Sequence, residues 1–352
     1  MQGKHWTILT CLVILAALLL VAGPAAIAQV NSPPPPAAST QSPPRPLLAQ
    51  EAMPFAPEGP AGTLDVLYDQ TDNSTTSTIA SQIYGYRFEK YDNQAADDFV
   101  VPTTIGSWNI SAVEVVGAYN DPSIHVDSVN VQFYGAAGGM MPEVLVYSTT
   151  VVPASDTGGD LVINLDPSAI VAPDAYWLSV QANMNYGDGH YQWLWRERTV
   201  QSNTASIWQN PPDGYRTGCI TWAPRKETCG IGGYLDLLFK VSGTASADRP
   251  KPKLLSLSPQ TVVAGNAFTL ILKGYNFISG ATATWNGASR TARYINSTRL
   301  EVVVPASDVA TPDTTIKIKV VNPGPPGGGP SDEELLLRVT KNLTYLPVVM
   351  KK

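Results

Sequence analysis

Apolar and polar residues alternate with a period of two in several runs of residues 64–243, and again over 315–321, with turn residues between the runs. Val129-Asn130-Val131-Gln132-Phe133, Trp177-Leu178-Ser179-Val180-Gln181-Ala182 and Leu235-Asp236-Leu237-Leu238-Phe239-Lys240-Val241 are the clearest runs. Successive side chains of a strand point to opposite faces, so this pattern predicts strands with one face on a core and one toward water. Between them lie Asn120-Asp121-Pro122, Ala137-Gly138-Gly139, Asp156-Thr157-Gly158-Gly159 and Asn210-Pro211-Pro212-Asp213-Gly214, which is turn chemistry and not helix capping. No 3.6-residue apolar stripe of useful length follows residue 28. The reading is all-β: a jelly-roll-like β-sandwich over 64–243, a linker at 244–253 carrying Asp248, Arg249 and two prolines, and a second, smaller β module over 254–340.

Three segments depart from the alternation. A basic start at Lys4 and His5 precedes an apolar run from Leu9 to Ala22 and then Pro24-Ala25-Ala26-Ile27-Ala28. The run is shorter than the ~20 residues a bilayer core requires, and the small residues at 26 and 28 suit signal-peptidase cleavage, so residues 1–28 are read as a signal peptide. Residues 29–63 hold Pro33 to Pro36 in a run with further prolines at 43, 44, 46, 54, 57 and 60, a polyproline II linker with too little apolar surface to fold. The tail at 341–352 is too short to span a bilayer and carries Pro347, which fits a sheet edge. These features imply a secreted or cell-surface protein with no transmembrane segment in the mature chain.

Composition narrows the function classes. Of 352 residues only 15% are charged, while 30 are Pro and 28 Gly, and the net charge is -6, which excludes a nucleic-acid-binding surface as the main feature. The acidity belongs to residues 64–243, whereas bases outnumber acids over 250–340. Cys11 leaves with the signal peptide, so the mature chain keeps Cys219 and Cys229, an even pair in an oxidising compartment and a predicted disulfide.

In the smaller domain the order and spacing of Leu257-Ser258-Pro259, Ala264-Gly265, Leu270-Ile271-Leu272-Lys273-Gly274-Tyr275-Asn276-Phe277, Ala283-Thr284-Trp285-Asn286-Gly287, Leu300-Glu301-Val302-Val303-Val304-Pro305 and Val320-Val321-Asn322-Pro323 resemble an IPT/TIG domain. The resemblance implies an immunoglobulin-like sandwich used as an extracellular spacer or interaction module. Independently, Asn286-Gly287 is a hairpin signal, 315–321 alternates as a strand, and Lys273, Lys317 and Lys319 fall on solvated strand faces. In the larger domain, Tyr68-Asp69-Gln70-Thr71-Asp72-Asn73, Ala96-Asp97-Asp98-Phe99-Val100-Val101-Pro102 and Tyr176-Trp177-Leu178 look like a module of secreted, multidomain bacterial proteins that has no settled activity.

Candidate chemistry is sparse. Trp193 and Trp195 share one face of a strand and, with Asp188 and Arg196 beside them, form a candidate platform for sugar rings. The same alternation also suits a sheet core, the reading favoured for Trp177. Asp69, Asp72, Asp97 and Asp98 supply hard oxygens of the type that hold Ca²⁺, and no other cofactor is implied. Only His125 and His190 follow the signal peptide, without zinc spacing, nucleophile elbow or phosphate loop. The expected function is non-catalytic binding or adhesion, the larger domain recognising an extracellular glycan or cell-surface protein. The alternative is a secreted hydrolase with its site near His190.

Overall fold

The computed structural model describes residues 64–137, 140–187 and 189–341. The segments expected as signal peptide and Pro-rich linker, and nearly all of the tail, lie outside the described residues. Among the described residues there is no α-helix, only two 3₁₀ turns at Glu89–Tyr91 and Ala306–Val309, and no helix long and apolar enough to cross a membrane.

The larger domain packs three sheets around one core. The first runs in the order Asp65–Asp69, Phe239–Ser246, Ser107–Val115, Asp160–Val171, Ser155–Thr157. The second runs Ala223–Pro224, Ile207–Gln209, Gln94–Val100, Ala175–Asn183, Ser128–Ala137, Met141–Val151. These two sheets face each other through Ile110, Val113, Ile163, Val171 and Phe239 on one side and Phe99, Val131, Phe133, Tyr176 and Leu178 on the other, all fully buried. At about 1.5–3 kcal/mol per buried large side chain, this aliphatic and aromatic layer is the main stabilising term. The short third sheet, Asp236–Leu237, Trp193–Arg198 and Ser74–Ala80 with Gly117–Tyr119, closes one side of the core.

One alternating run in the sequence divides in the structure. Residues 235–241 read as a single strand, yet Asp236–Leu237 belongs to the short sheet and Phe239–Ser246 to the first. Leu238 is the crossing point, its N–H donating to Arg196 O at 3.0 Å and its carbonyl accepting from Val116 N–H at 3.2 Å. Two adjacent leucines put apolar groups on both faces there, which a strand crossing between sheets can bury.

The second domain is a two-sheet sandwich. Lys253–Ser258, Phe268–Tyr275, Arg299–Val304 and Arg293–Asn296 form one sheet. Thr261–Val263, Leu335–Thr340, Thr314–Asn322, Thr282–Trp285 and Ala288–Thr291 form the other. Its separate core contains Leu270, Leu272, Phe277, Leu300, Val304, Ile318 and Leu337. The hairpin at Asn286 and Gly287 forms with φ values of 50° and 89°, the left-handed pair that a two-residue turn requires.

Candidate functional site

Trp193 and Trp195 are wholly buried and cannot stack on a ligand, which corrects the platform expectation. Their strand has sheet neighbours on both sides, Ser74–Ala80 on one and Gly117–Tyr119 with Asp236–Leu237 on the other. The two rings lie 6.1 Å apart, with Trp193 Nε1 donating to Gly159 O and Trp195 Nε1 to Leu238 O, each at 2.8 Å. Arg196 is half-buried and donates to Gly117 O at 3.3 Å and Thr75 O at 3.2 Å. Asp188 lies outside the described residues.

His190 is exposed, with φ 57° and its ring 5.0 Å from that of Tyr186. The histidine that meets a carboxylate is His125, 2.8 Å from Asp156 Oδ2, which also accepts from the Tyr119 hydroxyl at 2.6 Å. Among the described residues no group of three His, Cys, Asp or Glu side chains is placed to hold a metal ion. Asp69 Oδ1 accepts from Thr71 N–H and hydroxyl, and Asp72 pairs with Arg198, so the residues considered for calcium are engaged locally.

The second sheet carries a different surface on the face turned away from the core. Alternation sends Val129, Val131, Phe133, Tyr176, Leu178 and Val180 inward and Asn130, Gln132, Gln181 and Asn183 outward. Register sets Asn130 opposite Gln181 and Thr150, and Gln94 opposite Gln209. The side chains form two hydrogen-bonded amide groups that together span five strands. Gln209 Nε2 donates to Gln94 Oε1 at 3.0 Å, and Gln94 Nε2 donates to Gln132 Oε1. Asn130 Nδ2 donates to Gln181 Oε1 and Asn183 Oδ1, both at 3.1 Å, and the Thr150 hydroxyl donates to Asn130 Oδ1 at 2.8 Å. Carboxamides offer both donors and acceptors without the desolvation cost of a charge, and these hydrogen bonds fix each amide's orientation.

Aromatic groups border one end of this floor. The Tyr134 hydroxyl donates to Gln132 Oε1 at 3.0 Å, and the Tyr134 ring meets Trp222 edge-on at 5.9 Å. Both are half-buried, and beneath them Trp177, on the same outward face, is wholly buried. Trp222 reaches the face from the loop closed by the Cys219–Cys229 disulfide, whose Cα atoms are 5.9 Å apart. Closing so short a loop contributes about 3 kcal/mol by restricting the unfolded chain. Arg225 anchors the same loop from below: wholly buried, it pairs with Glu197, and its Nη2 donates to Ser206 Oγ at 2.9 Å and Tyr234 O at 2.7 Å. Glu197 Oε2 accepts from the N–H groups of Gly233 and Tyr234, both at 2.9 Å, so the buried charge pair is fully hydrogen-bonded.

Beside the floor, the strand Gln94–Val100 carries two buried carboxylates close to a third, Asp236. Burial, with smaller repulsion from Asp236, pushes the Asp98 carboxyl up to about 7. Burial likewise raises Asp236 to about 6, and raises Asp97 well above the usual carboxylate range. Asp97 Oδ2 accepts from Gln70 Nε2 at 2.8 Å and Leu237 N–H at 2.6 Å, and Asp98 accepts from Thr204 N–H, so the cluster ties the surrounding loops to the sheet.

Residues 252–336 match the family model of the IPT/TIG domain. This segment is an IPT/TIG domain. No curated protein matches the chain. Among solved structures, a putative phosphatase from Bacteroides thetaiotaomicron is 17% identical, with 25% of this chain and 18% of that chain covered and a TM-score of 0.19. The adhesin domain of Epf from Streptococcus pyogenes is 9% identical over 70% of this chain and 77% of that one, with a TM-score of 0.21. A DUF4785 family protein from Legionella pneumophila is 7% identical over 70% and 64%, with a TM-score of 0.19. At these scores none of the three carries weight for fold or function.

The IPT/TIG domain is bonded directly to the larger domain. Asn276, in the left-handed conformation at φ 59°, accepts from Ala172 N–H and donates to Ile170 O, both at 3.1 Å. Ser297 N–H donates to Asp174 Oδ2 at 2.5 Å, and Asn296 Nδ2 donates to Ala136 O at 3.2 Å. Lys273, expected on a solvated face, pairs with Glu143 of the larger domain at 2.6 Å. A Cβ at Gly135 would lie 2.2 Å from Thr298 Cγ2, so the domains approach too closely there for any side chain but hydrogen.

Proposed function

We propose that this protein is an exported, non-catalytic binding protein whose larger domain recognises an extracellular glycan on the amide-lined face of its second sheet, presented by the IPT/TIG domain. The observation that carries this reading is a face lined by two hydrogen-bonded amide groups, Asn130 with Gln181 and Asn183, and Gln209 with Gln94 and Gln132, the second ending at Tyr134 beside Trp222. Fixed carboxamides pair with sugar hydroxyls as donor and acceptor together, while an aromatic edge takes the apolar face of a ring. Export is supported by the signal-like sequence at 1–28 and by the disulfide.

The role is tested on a glycan array with the wild-type chain and the variants Gln132→Ala and Trp222→Ala. The expected result is binding to an oligosaccharide set that falls about tenfold in each variant, the loss of one or two well-made contacts, with Tm nearly unchanged. Binding that survives both variants would place recognition elsewhere.

A further inference from the structure

The cationic side chains of the larger domain are unevenly used. Arg198 pairs with Asp72, Arg225 with Glu197 and Lys240 with Glu114, while Arg196 and Lys226 donate to backbone carbonyls. Among the described residues, Arg87, Lys90 and Arg216 make no ion pair, and all three are exposed. In a domain where acids are in excess, these three sit together. Lys90 O accepts from Gly214 N–H at 2.9 Å and from Asn210 Nδ2 at 3.0 Å, which brings the loop bearing Arg216 against the turn bearing Arg87 and Lys90.

Their mounting is aromatic and rigid. Gly85 and Arg87 are left-handed at φ 76° and 75°, and they hold out Tyr86, which is 79% exposed, with the Arg87 guanidinium 5.6 Å from its ring centroid. Lys90 Nζ lies 4.8 Å from the Tyr91 ring. Below, Tyr215 and Tyr84 join hydroxyls at 2.8 Å, and Phe88 packs on Tyr186 at 4.8 Å. Asp92 is occupied with Tyr84 N–H and Asp213 Oδ1 with Gly218 N–H, leaving Glu89 as the exposed acid of this turn. A guanidinium over a ring keeps N–H groups outward for a planar oxyanion.

This cluster is continuous with the amide floor. Gln209 of the floor leads directly into Asn210 of the cationic loop, and Gln94 follows Asn93, whose carbonyl accepts from Gln181 Nε2 at 2.7 Å. We propose that the ligand of the amide face is an anionic polysaccharide, its sugar hydroxyls on the amides and its carboxylate or sulfate groups on Arg87, Lys90 and Arg216. The proposal rests on the glycan reading above and adds the charge class.

Affinity electrophoresis of the full chain through gels containing polygalacturonate, dextran sulfate or neutral dextran tests it, the first two arms separating carboxylate from sulfate. Retardation by at least one anionic polymer and not by dextran is expected, weakening steeply with added salt. Arg87→Ala with Arg216→Ala should weaken retardation about tenfold with Tm unchanged, Arg87→Lys with Arg216→Lys should keep most of it, and Lys251→Ala with Lys317→Ala on the IPT/TIG domain should leave it intact. Gln132→Ala should weaken it too. Retardation by dextran that ignores the arginine variants would overturn the anionic ligand and leave the glycan reading standing. Anionic retardation that ignores Gln132→Ala would overturn the shared site. Failure of every polymer to retard the protein would overturn both.

Discussion

The two domains of this chain treat the outward faces of their sheets in opposite ways. The IPT/TIG domain covers its outer strands with ion pairs: Lys317 with Glu334 at 2.9 Å, Arg299 with Glu301 at 2.8 Å, Lys253 with Glu333 and Arg293 with Glu301. The larger domain lines its second sheet with carboxamides and holds one charge pair, Arg225 with Glu197, wholly inside. Alternating lysines and glutamates keep a sheet soluble and discourage edge pairing, and they contribute little to stability. Neutral amides do neither job as well, and they meet a polar uncharged partner at lower desolvation cost. On the function proposed above, the difference is that between a scaffold surface and a recognition surface on two domains built from the same alternation.

Interior charge gives the largest contrast. Arg225→Ala leaves Glu197 buried and unpaired, so chemical denaturation should show the larger domain losing about 3–5 kcal/mol, whereas Lys317→Ala in the IPT/TIG domain should cost about 0–1 kcal/mol. Similar losses for both variants would erase the distinction between buried and exposed pairs.

A smaller contrast comes from pH. Asp98 and Asp236 have folded-state pKa values of about 7 and about 6, above the ordinary 3.8. The folded form therefore holds protons that the unfolded chain has already released. Their favourable contribution is complete below pH 4 and is lost as pH rises through about 7. Scanning calorimetry from pH 5 to 8 should show the larger domain's transition moving down by several degrees, and Asp98→Asn should flatten that dependence. A transition that rises with pH over this range would contradict the buried-carboxylate account.

Much of the fold was legible because period-two alternation is read one strand at a time. Val129 to Phe133 and Trp177 to Ala182 declared their strands, and the order of turns around Asn286-Gly287 matched an IPT/TIG domain without any knowledge of pairing. The candidate site was harder, because a surface spanning five strands exists only once register is known. Asn130 and Gln181 are 51 positions apart, and nothing in either run announces that they are opposite each other. The legible hint was the side-chain type, amides at two successive polar positions in both strands, 130 and 132 in one and 181 and 183 in the other.

The tryptophan platform failed for a definable reason. Trp193-Leu194-Trp195 has no polar member, which is the pattern of a strand buried on both faces, yet the charged residues Arg196, Glu197 and Arg198 follow it directly. Glu197 is wholly buried because its partner, Arg225, arrives from the disulfide loop, a contact 28 residues distant in sequence. Charged residues beside an aromatic run signal solvent only when no distant counter-charge meets them.

The central claim, that the amide face of the larger domain is the recognition surface, is tested most directly by side-chain amide NMR. Protein labelled with ¹⁵N at Gln and Asn side chains would be titrated with the polysaccharide fragment that binds. The account predicts shifts confined to Gln94, Gln132, Gln181, Gln209, Asn130 and Asn183, with Asn266, Asn276 and Asn322 of the IPT/TIG domain unmoved. Shifts centred on the IPT/TIG amides, with the six floor amides silent at saturation, would contradict it.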